Sequence, residues 1–259
     1  MHRCPACGVF FLVDPVARAD QQALFYSTIE EAKYVRYFEP FRKAQYRQVL
    51  AGLKLPPGAS HLDVGASYGW MVEVGRELGL DSLGVEPGEA PVHADVRDRV
   101  VHASLDEYAA VADRRFDLIT IWHVLEHLPE PWRAVRQMRD LLNEGGCLAV
   151  AVPNANGRMY RLGLFMQRVL GSSALMNELW YFHNPNMHYF YYTPRALGIL
   201  LNAAGLTQDA RFTMEAFDWT TIYQRVDGAV PRQLLQSVGP LISSSRFTRR
   251  ENLIALARR

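Results

Sequence analysis

Between residues 59 and 153, short apolar runs alternate with amphipathic stretches, and no other feature restricts the folding of this chain as much. Residues 59–64 and 80–86 read as buried strands on either side of an amphipathic helix over 68–78, which Gly79 closes. A short strand over 99–102, a helix from about Leu105 and a strong strand over 116–122 ("FDLITIW") follow. Pro131 suits the first turn of a helix running to about Asn143, with Gly145-Gly146 as its stop and "CLAVAVP" as the fifth strand. Strands alternating with helices at this spacing predict an α/β fold, a Rossmann-like and mostly parallel sheet with helices on both faces. Sheets of this kind bind their ligands at the carboxyl ends of the strands.

The flanks read differently. Residues 1–14 form a small cysteine-bearing leader, and a helical pattern from about Ser27 to Leu53, carrying Pro40, makes an N-terminal helical cap. Pro56-Pro57-Gly58 cannot continue a helix, so the expected division is leader and cap over 1–55 and the main domain over 56–259. Residues 154–192 interrupt the rhythm after the fifth strand with an aromatic, Arg- and Met-containing insertion placed over the site. Thr193-Pro194 then opens a helix ended by Gly205, and strands are expected near 206–217 and over 252–257.

"HLDVGASYGW", residues 61–70, carries the ligand signal. A small-residue loop between a strand and a helix presents backbone N–H groups and the positive end of a helix dipole, an arrangement suited to nucleotide-like ligands. Asp63, two residues ahead of the loop, would repel a phosphate and suits a cationic guest. The spacing Gly65-x-x-x-Gly69 also lacks the middle glycine of the dinucleotide fingerprint, and no Lys-Ser/Thr follows as in a P-loop. Glu86, at the tip of the second strand, stands where such folds place an acid for two ribose hydroxyls. A cationic, ribose-containing ligand is implied.

These segments resemble the class I S-adenosylmethionine-dependent methyltransferases. "LDVGASYGW" is similar to the first motif of that family, "LGVEP" to the second, "FDLITIWHVLEHL" to the fourth-strand motif and "LNEGGCLAVAVPN" to the fifth; "MHYFYYTPRALGILLNAAGL" is similar to a further segment of bacterial members. The resemblance implies S-adenosyl-L-methionine as cofactor, S-adenosyl-L-homocysteine as product and a methyltransferase activity. It implies that Asp63 and the backbone of Gly65, Ala66, Ser67, Tyr68 and Gly69 hold the methionyl part, Glu86 and Pro87 the ribose, and Ser104 and Leu105 the adenine edge, with Trp122 and His123 lining the site. Ser67 departs from the glycine of many members. Ser104 equally suits the N-cap of the helix that follows it.

Methyl transfer from a sulfonium asks the protein chiefly to hold a nucleophile in line. An oxygen nucleophile must also lose a proton, and a histidine is a fitting acceptor, so His123 is the first candidate base and His127 the second. Lining and packing roles stand as their alternatives. The grouping of His123, Glu126 and His127, with His183 or His188 from downstream, raises a divalent metal, but no clear ligand set emerges and none is expected. Cys4-x-x-Cys7 has the spacing of half a zinc site and reads as a degenerate ribbon without bound zinc. In the insertion, Tyr160, Phe165, Trp180, Tyr181 and Phe182 are expected as acceptor-pocket walls, with Arg158 or Arg161 as anion anchors; packing, a homodimer contact or an interfacial helix are the alternatives.

The remaining expectations come from composition. A formal net charge of +1 disfavours nucleic acid, and no exocyclic-amine motif is present. Three cysteines build no disulfide framework, and no secretion signal or long apolar run occurs, so a cytoplasmic protein without membrane insertion is expected. The expected reaction is methylation of a small molecule, at oxygen in the first instance and at carbon or nitrogen in the second. A nicotinamide oxidoreductase or a non-catalytic cofactor-binding subunit are the readings it competes with.

Overall fold

A computed structural model describes residues 2–12, 31–88, 92–171, 188–215 and 250–259. The central sheet has seven strands in the order β5-β4-β3-β6-β7-β10-β9. Its parallel half is β3 (Ser60–Val64), β4 (Asp81–Val85), β5 (Val100–Val101), β6 (Phe116–Trp122) and β7 (Leu142–Pro153); β10 (Asn252–Arg258) runs antiparallel to β7 and to β9 (Thr207–Met214). The α/β, mostly parallel architecture expected from the sequence is the one observed.

Period-two alternation divides the sheet residues between two cores. Leu62, Val64, Ile119, Ile121, Leu148, Val150 and Val152 face one side, where they meet α4 (Pro131–Leu141) and α6 (Pro194–Ala203) through Val135, Met138, Leu197 and Leu201. Leu118, Trp122, Cys147, Ala149 and Ala151 face the other, against α2 (Trp70–Glu77) and the cap helix α1 (Glu31–Leu53). Tyr46, Val49 and Leu50 of α1 share that cluster with Trp70, Met71 and Val74 of α2. The cap is therefore one wall of the main core, and Pro56-Pro57-Gly58 lies in the turn between α1 and β3. Helix α1 runs through Pro40; the expected first residues 27–30 lie outside the described residues.

Two local expectations are corrected. Helix α4 ends at Leu141 and β7 starts at once, because Leu142 is wholly buried and pairs with Phe116. Gly145 and Gly146 thus serve an irregularity within β7, where a Cβ on Gly146 would lie 2.9 Å from the Asn143 carbonyl and 3.0 Å from that of Phe116. The leader is tied to the insertion: β1 (His2–Arg3) pairs with β2 (Phe10–Phe11), and β2 pairs with β8 (Phe190–Tyr191) at the insertion's far end. Cys4 and Cys7 sit as free thiols in the turn between β1 and β2.

Candidate active site

The glycine loop leaves β3 through three left-handed residues, Gly65 (φ 76°), Ser67 (φ 49°) and Gly69 (φ 81°), the last being the N-cap of α2. Gly65 is irreplaceable on two counts: its φ is costly for any L side chain, and a Cβ would stand 2.3 Å from Val124 Cγ2. Ser67 occupies a conformation glycine adopts freely, which gives a physical reason for glycine in other members. The loop is sewn to the tip of β4. Gly65 and Ala66 donate to the Val85 carbonyl at 2.8 and 3.0 Å, and Ser67 N–H donates to Glu86 Oε2 at 2.9 Å.

Glu86 is the hub of this seam. Gly88 N–H donates to its other oxygen at 2.9 Å, and the side chain is almost fully buried. Burial raises its pKa, while the backbone N–H groups of Gly88 and Ser67 and the His102 ring oppose the shift. Each oxygen, having accepted one N–H, retains a lone pair for a further donor. Pro87 follows, half-buried. Asp63, 3% exposed, is pushed up to about pKa 7, first by burial; the Thr120 hydroxyl works against this and the Glu86 charge adds to it. A buried carboxyl in that state is stabilised by an arriving cation.

Several expected contacts already have partners within the fold. Ser104 forms a capping box on α3 (Leu105–Val111), accepting from Glu107 N–H while Glu107 accepts from Ser104 N–H at 2.8 Å, and Leu105 is the first helical residue. Tyr68 is buried and stacked on Trp70 with ring centroids 4.8 Å apart. Its share in the loop is therefore backbone and packing. Ala66 packs against Val72 and Val96.

At the end of β6, Trp122 packs edge-on to Tyr46 of the cap at 5.0 Å. His123 then turns the chain with φ 56°, a left-handed geometry that costs a β-strand residue about 1–3 kcal/mol. Its N–H still donates to Ala151 of β7 at 2.9 Å. The turn aims the ring at Glu126, with His123 Nδ1 3.1 Å from Glu126 Oε1. Although 22% of the His123 side chain stays accessible, its packed surroundings hold the ring well below the usual histidine pKa; Arg42 on α1 adds to this, and a contact with Asn252 of β10 opposes it. Glu126, fully buried, is pushed up to about pKa 7 by its burial. Trp122 Nε1, His123 Nε2, Glu126 Oε2 and Tyr192 Oη are buried polar atoms without a hydrogen-bond partner among the described residues. Such groups are costly in a finished protein and fit a site that a polar ligand completes.

His127 lies beside this group, its ring 4.6 Å from that of His188. One ligand atom each from Glu126, His127 and His188 lie within 4.8 Å of one another. The donor set, two imidazoles and a carboxylate, suits a divalent transition ion.

A family profile described as "Methyltransferase domain" matches residues 36–210, more than half of the chain. The chain belongs to this methyltransferase family. Membership sets aside the nicotinamide oxidoreductase reading. The ubiquinone biosynthesis O-methyltransferase of Acinetobacter baylyi is 27% identical over 161 residues, 57% of this chain and 66% of the relative. That of Escherichia fergusonii is 30% identical over 143 residues, 52% of this chain and 58% of the relative. The match thus spans less than two thirds of the length of either relative. Among solved structures, the 1,6-didemethyltoxoflavin-N1-methyltransferase of Burkholderia thailandensis, bound to its namesake compound and S-adenosylhomocysteine, superposes with a TM-score of 0.60 at 17% identity, covering 100% of this chain and 98% of that one. This methyltransferase shares its fold.

The insertion revises several expectations. Arg158, at the start of α5 (Arg158–Leu170), is clamped by Glu215 at 2.7 Å and Glu251 at 3.2 Å and cannot anchor an acceptor. Tyr160 is buried against Tyr191 as core, and Phe165 is 59% exposed. Arg161 is exposed. Trp180, Tyr181, Phe182 and His183 lie outside the described residues. The sequence groups Glu126 with His123 by its three-residue spacing, as a metal candidate and not as the partner of the ring. Residues missed in the sequence are Val124 as the ceiling over Gly65, and Asn252 and Tyr192 as distant contributors.

Proposed function

We propose that this methyltransferase moves the methyl group of S-adenosyl-L-methionine to a hydroxyl oxygen of a small-molecule acceptor, with His123 as the base. The pairing of His123 Nδ1 with Glu126 Oε1 carries the reading. In the tautomer that carries its proton on Nδ1 and donates to ionised Glu126, the imidazole keeps its Nε2 lone pair for a substrate proton, the arrangement of a histidine base oriented by an acid. Nε2 is buried and, among the described residues, makes no hydrogen bond of normal geometry; Asn252 is the neutral side chain that acts on the ring. The cofactor, when bound, supplies an already activated methyl group. The chain supplies position and a proton acceptor: Asp63 and the 65–69 backbone receive the methionyl end, Glu86 and Pro87 the ribose, and Ser104 and Leu105 the adenine edge. Trp122 lines the wall, and the acceptor's hydroxyl proton passes to His123 Nε2.

The O-methyltransferase names of the relatives favour oxygen over carbon or nitrogen as the accepting atom. We further propose a cytoplasmic setting and a small-molecule rather than nucleic-acid acceptor, with a homodimer as the form to be tested. No helix among the described residues is long and apolar enough to cross a membrane. For the base, His123→Ala is expected to keep the thermal shift caused by S-adenosylhomocysteine and to lower kcat on a panel of phenols and catechols about 100-fold or more. Retained turnover would reduce His123 to a lining residue.

The Glu126, His127 and His188 cluster favours one second reading, in which a divalent cation acidifies the acceptor hydroxyl. The base reading predicts turnover indifferent to chelator. The metal reading predicts turnover lost in EDTA and restored by zinc or cobalt but not by magnesium.

A further inference from the structure

Beneath the cofactor loop runs a buried chain of polar side chains that the proposed reaction does not use. Ser82 of β4, His61 of β3 and Thr120 of β6 are each at most 1% exposed, in a sheet face otherwise lined by apolar residues. His61 Nδ1 lies 2.9 Å from Ser82 Oγ, His61 Nε2 lies 2.9 Å from Thr120 Oγ1, and Thr120 Oγ1 donates to Asp63 Oδ1 at 2.5 Å. The pleat explains the assembly: His61 and Asp63 are two residues apart on one face of β3, and register pairs His61 with Ser82 and Asp63 with Thr120. Gly75 of α2 closes the chain from above. A Cβ there would lie 2.2 Å from Ser82 Oγ and 3.0 Å from His61 Nδ1, so only glycine lets the helix settle over these groups.

Such a chain can run in two senses. His61 is neutral, because burial drives its pKa down to about 3, and it therefore holds one ring proton. With Asp63 ionised, Thr120 must donate to it, His61 Nε2–H must donate to Thr120, and Ser82 must donate to Nδ1. With Asp63 protonated on Oδ1 every bond can reverse, whereas a proton on Oδ2 leaves Oδ1 accepting and the chain unchanged. An ionised Asp63 thus admits one sense of the chain and one tautomer of His61. Among the described residues no hydrogen bond is made to the second oxygen of Asp63.

We propose that Thr120, backed by His61 and Ser82, is a positioning residue for cofactor binding: the donor chain, through the one hydroxyl that reaches Asp63, favours its ionised form and fixes its rotation so that its second oxygen meets the ammonium group of the cofactor's methionyl end. The inference rests on Asp63 as a cofactor contact. Isolated hydrogen bonds would satisfy buried polar atoms equally well, but a one-way chain of donors ending on a carboxylate also favours its negative form and fixes its rotamer. The other charged group acting on Asp63 is Glu86, beyond β4, which works in the opposite direction.

The experiment is calorimetric titration of the full chain with S-adenosylhomocysteine across pH. In the wild type, affinity rises toward neutral pH and then levels. Thr120→Val, which keeps the shape and removes the hydroxyl, is expected to weaken binding about tenfold at neutral pH and to move the rising limb about one pH unit higher. Thr120→Ser restores both, and His61→Phe shifts the limb in the same direction as Thr120→Val by a smaller amount. A folded Thr120→Val protein with wild-type affinity and pH profile overturns the proposal. So does a loss of affinity in which Val and Ser behave alike, since that is a packing effect. Asp63→Asn separates the two layers: if it binds like the wild type, Asp63 is no cofactor contact and the relay falls with it; if it fails to bind while Thr120→Val binds normally, the relay alone falls.

Discussion

Replacing Asp63 by Asn should make the ligand-free protein more stable while destroying its cofactor site. Asp63 is 3% exposed and its folded pKa is about 7, against about 3.9 for an unperturbed aspartate. A carboxyl whose folded pKa is raised favours the folded state at low pH. That advantage is lost as pH climbs from the unfolded to the folded value, at about 1.4 kcal/mol for each pH unit between them. Above pH ~7 the ionised side chain therefore burdens the fold by about 4 kcal/mol. Asparagine removes this burden and can still accept the Thr120 hydroxyl, but its buried amide nitrogen gains donors without partners, a cost of about 1–3 kcal/mol. The net expectation at pH ~8 is about 1–3 kcal/mol of stabilisation, worth several degrees of Tm in a chain of this size. At pH ~5 the burden has fallen to about 1.5 kcal/mol, because only about one pH unit separates this pH from the unfolded value, and the cost of the asparagine amide cancels it, so the gain should vanish. Parallel denaturant melts of both proteins across this range read the difference directly, since contributions from other groups cancel. A difference that stays flat with pH, or a less stable Asn protein at pH ~8, would refute the reasoning and mean that the ligand-free fold already compensates the Asp63 charge.

Two further substitutions probe the loop. Gly65→Ala combines a left-handed φ with a 2.3 Å approach to Val124 Cγ2 and should cost about 1–3 kcal/mol with loss of S-adenosylhomocysteine binding; adding Val124→Ala should return part of the stability, as paired melts would show. Ser67→Gly should raise stability by up to about 1 kcal/mol and leave the S-adenosylhomocysteine-induced shift in Tm intact, because the bond from residue 67 to Glu86 comes from its backbone N–H.

The sheet was legible because its signals are local. Strand β6 falls at Phe116–Trp122 as the "FDLITIW" run predicts, and the Gly65 loop and Glu86 meet because two adjacent parallel strands end at the same level. What escaped is what depends on distant chain or on the face of a helix. His123 gives no sequence sign of its left-handed turn, yet that turn brings it to Glu126. His61 reads as one polar residue in a strand until β4 and β6 supply Ser82 and Thr120. Arg158 looks available in the sequence because its two partners, Glu215 and Glu251, lie more than fifty residues away. Tyr160 takes the packing role rather than the pocket wall because aromatic content does not say which side of α5 meets Tyr191. Gly145-Gly146 misleads for a related reason, since a pair of glycines marks a strand irregularity as readily as a helix end.

The most direct test is a crystal structure of the full chain with S-adenosylhomocysteine. The account predicts the ribose hydroxyls on the Glu86 carboxylate, the ammonium group on Asp63, and the sulfur directed toward the end of β6 with His123 Nε2 facing the space beyond it. A ligand seated elsewhere, or one whose ribose and ammonium groups touch neither acid, would contradict it.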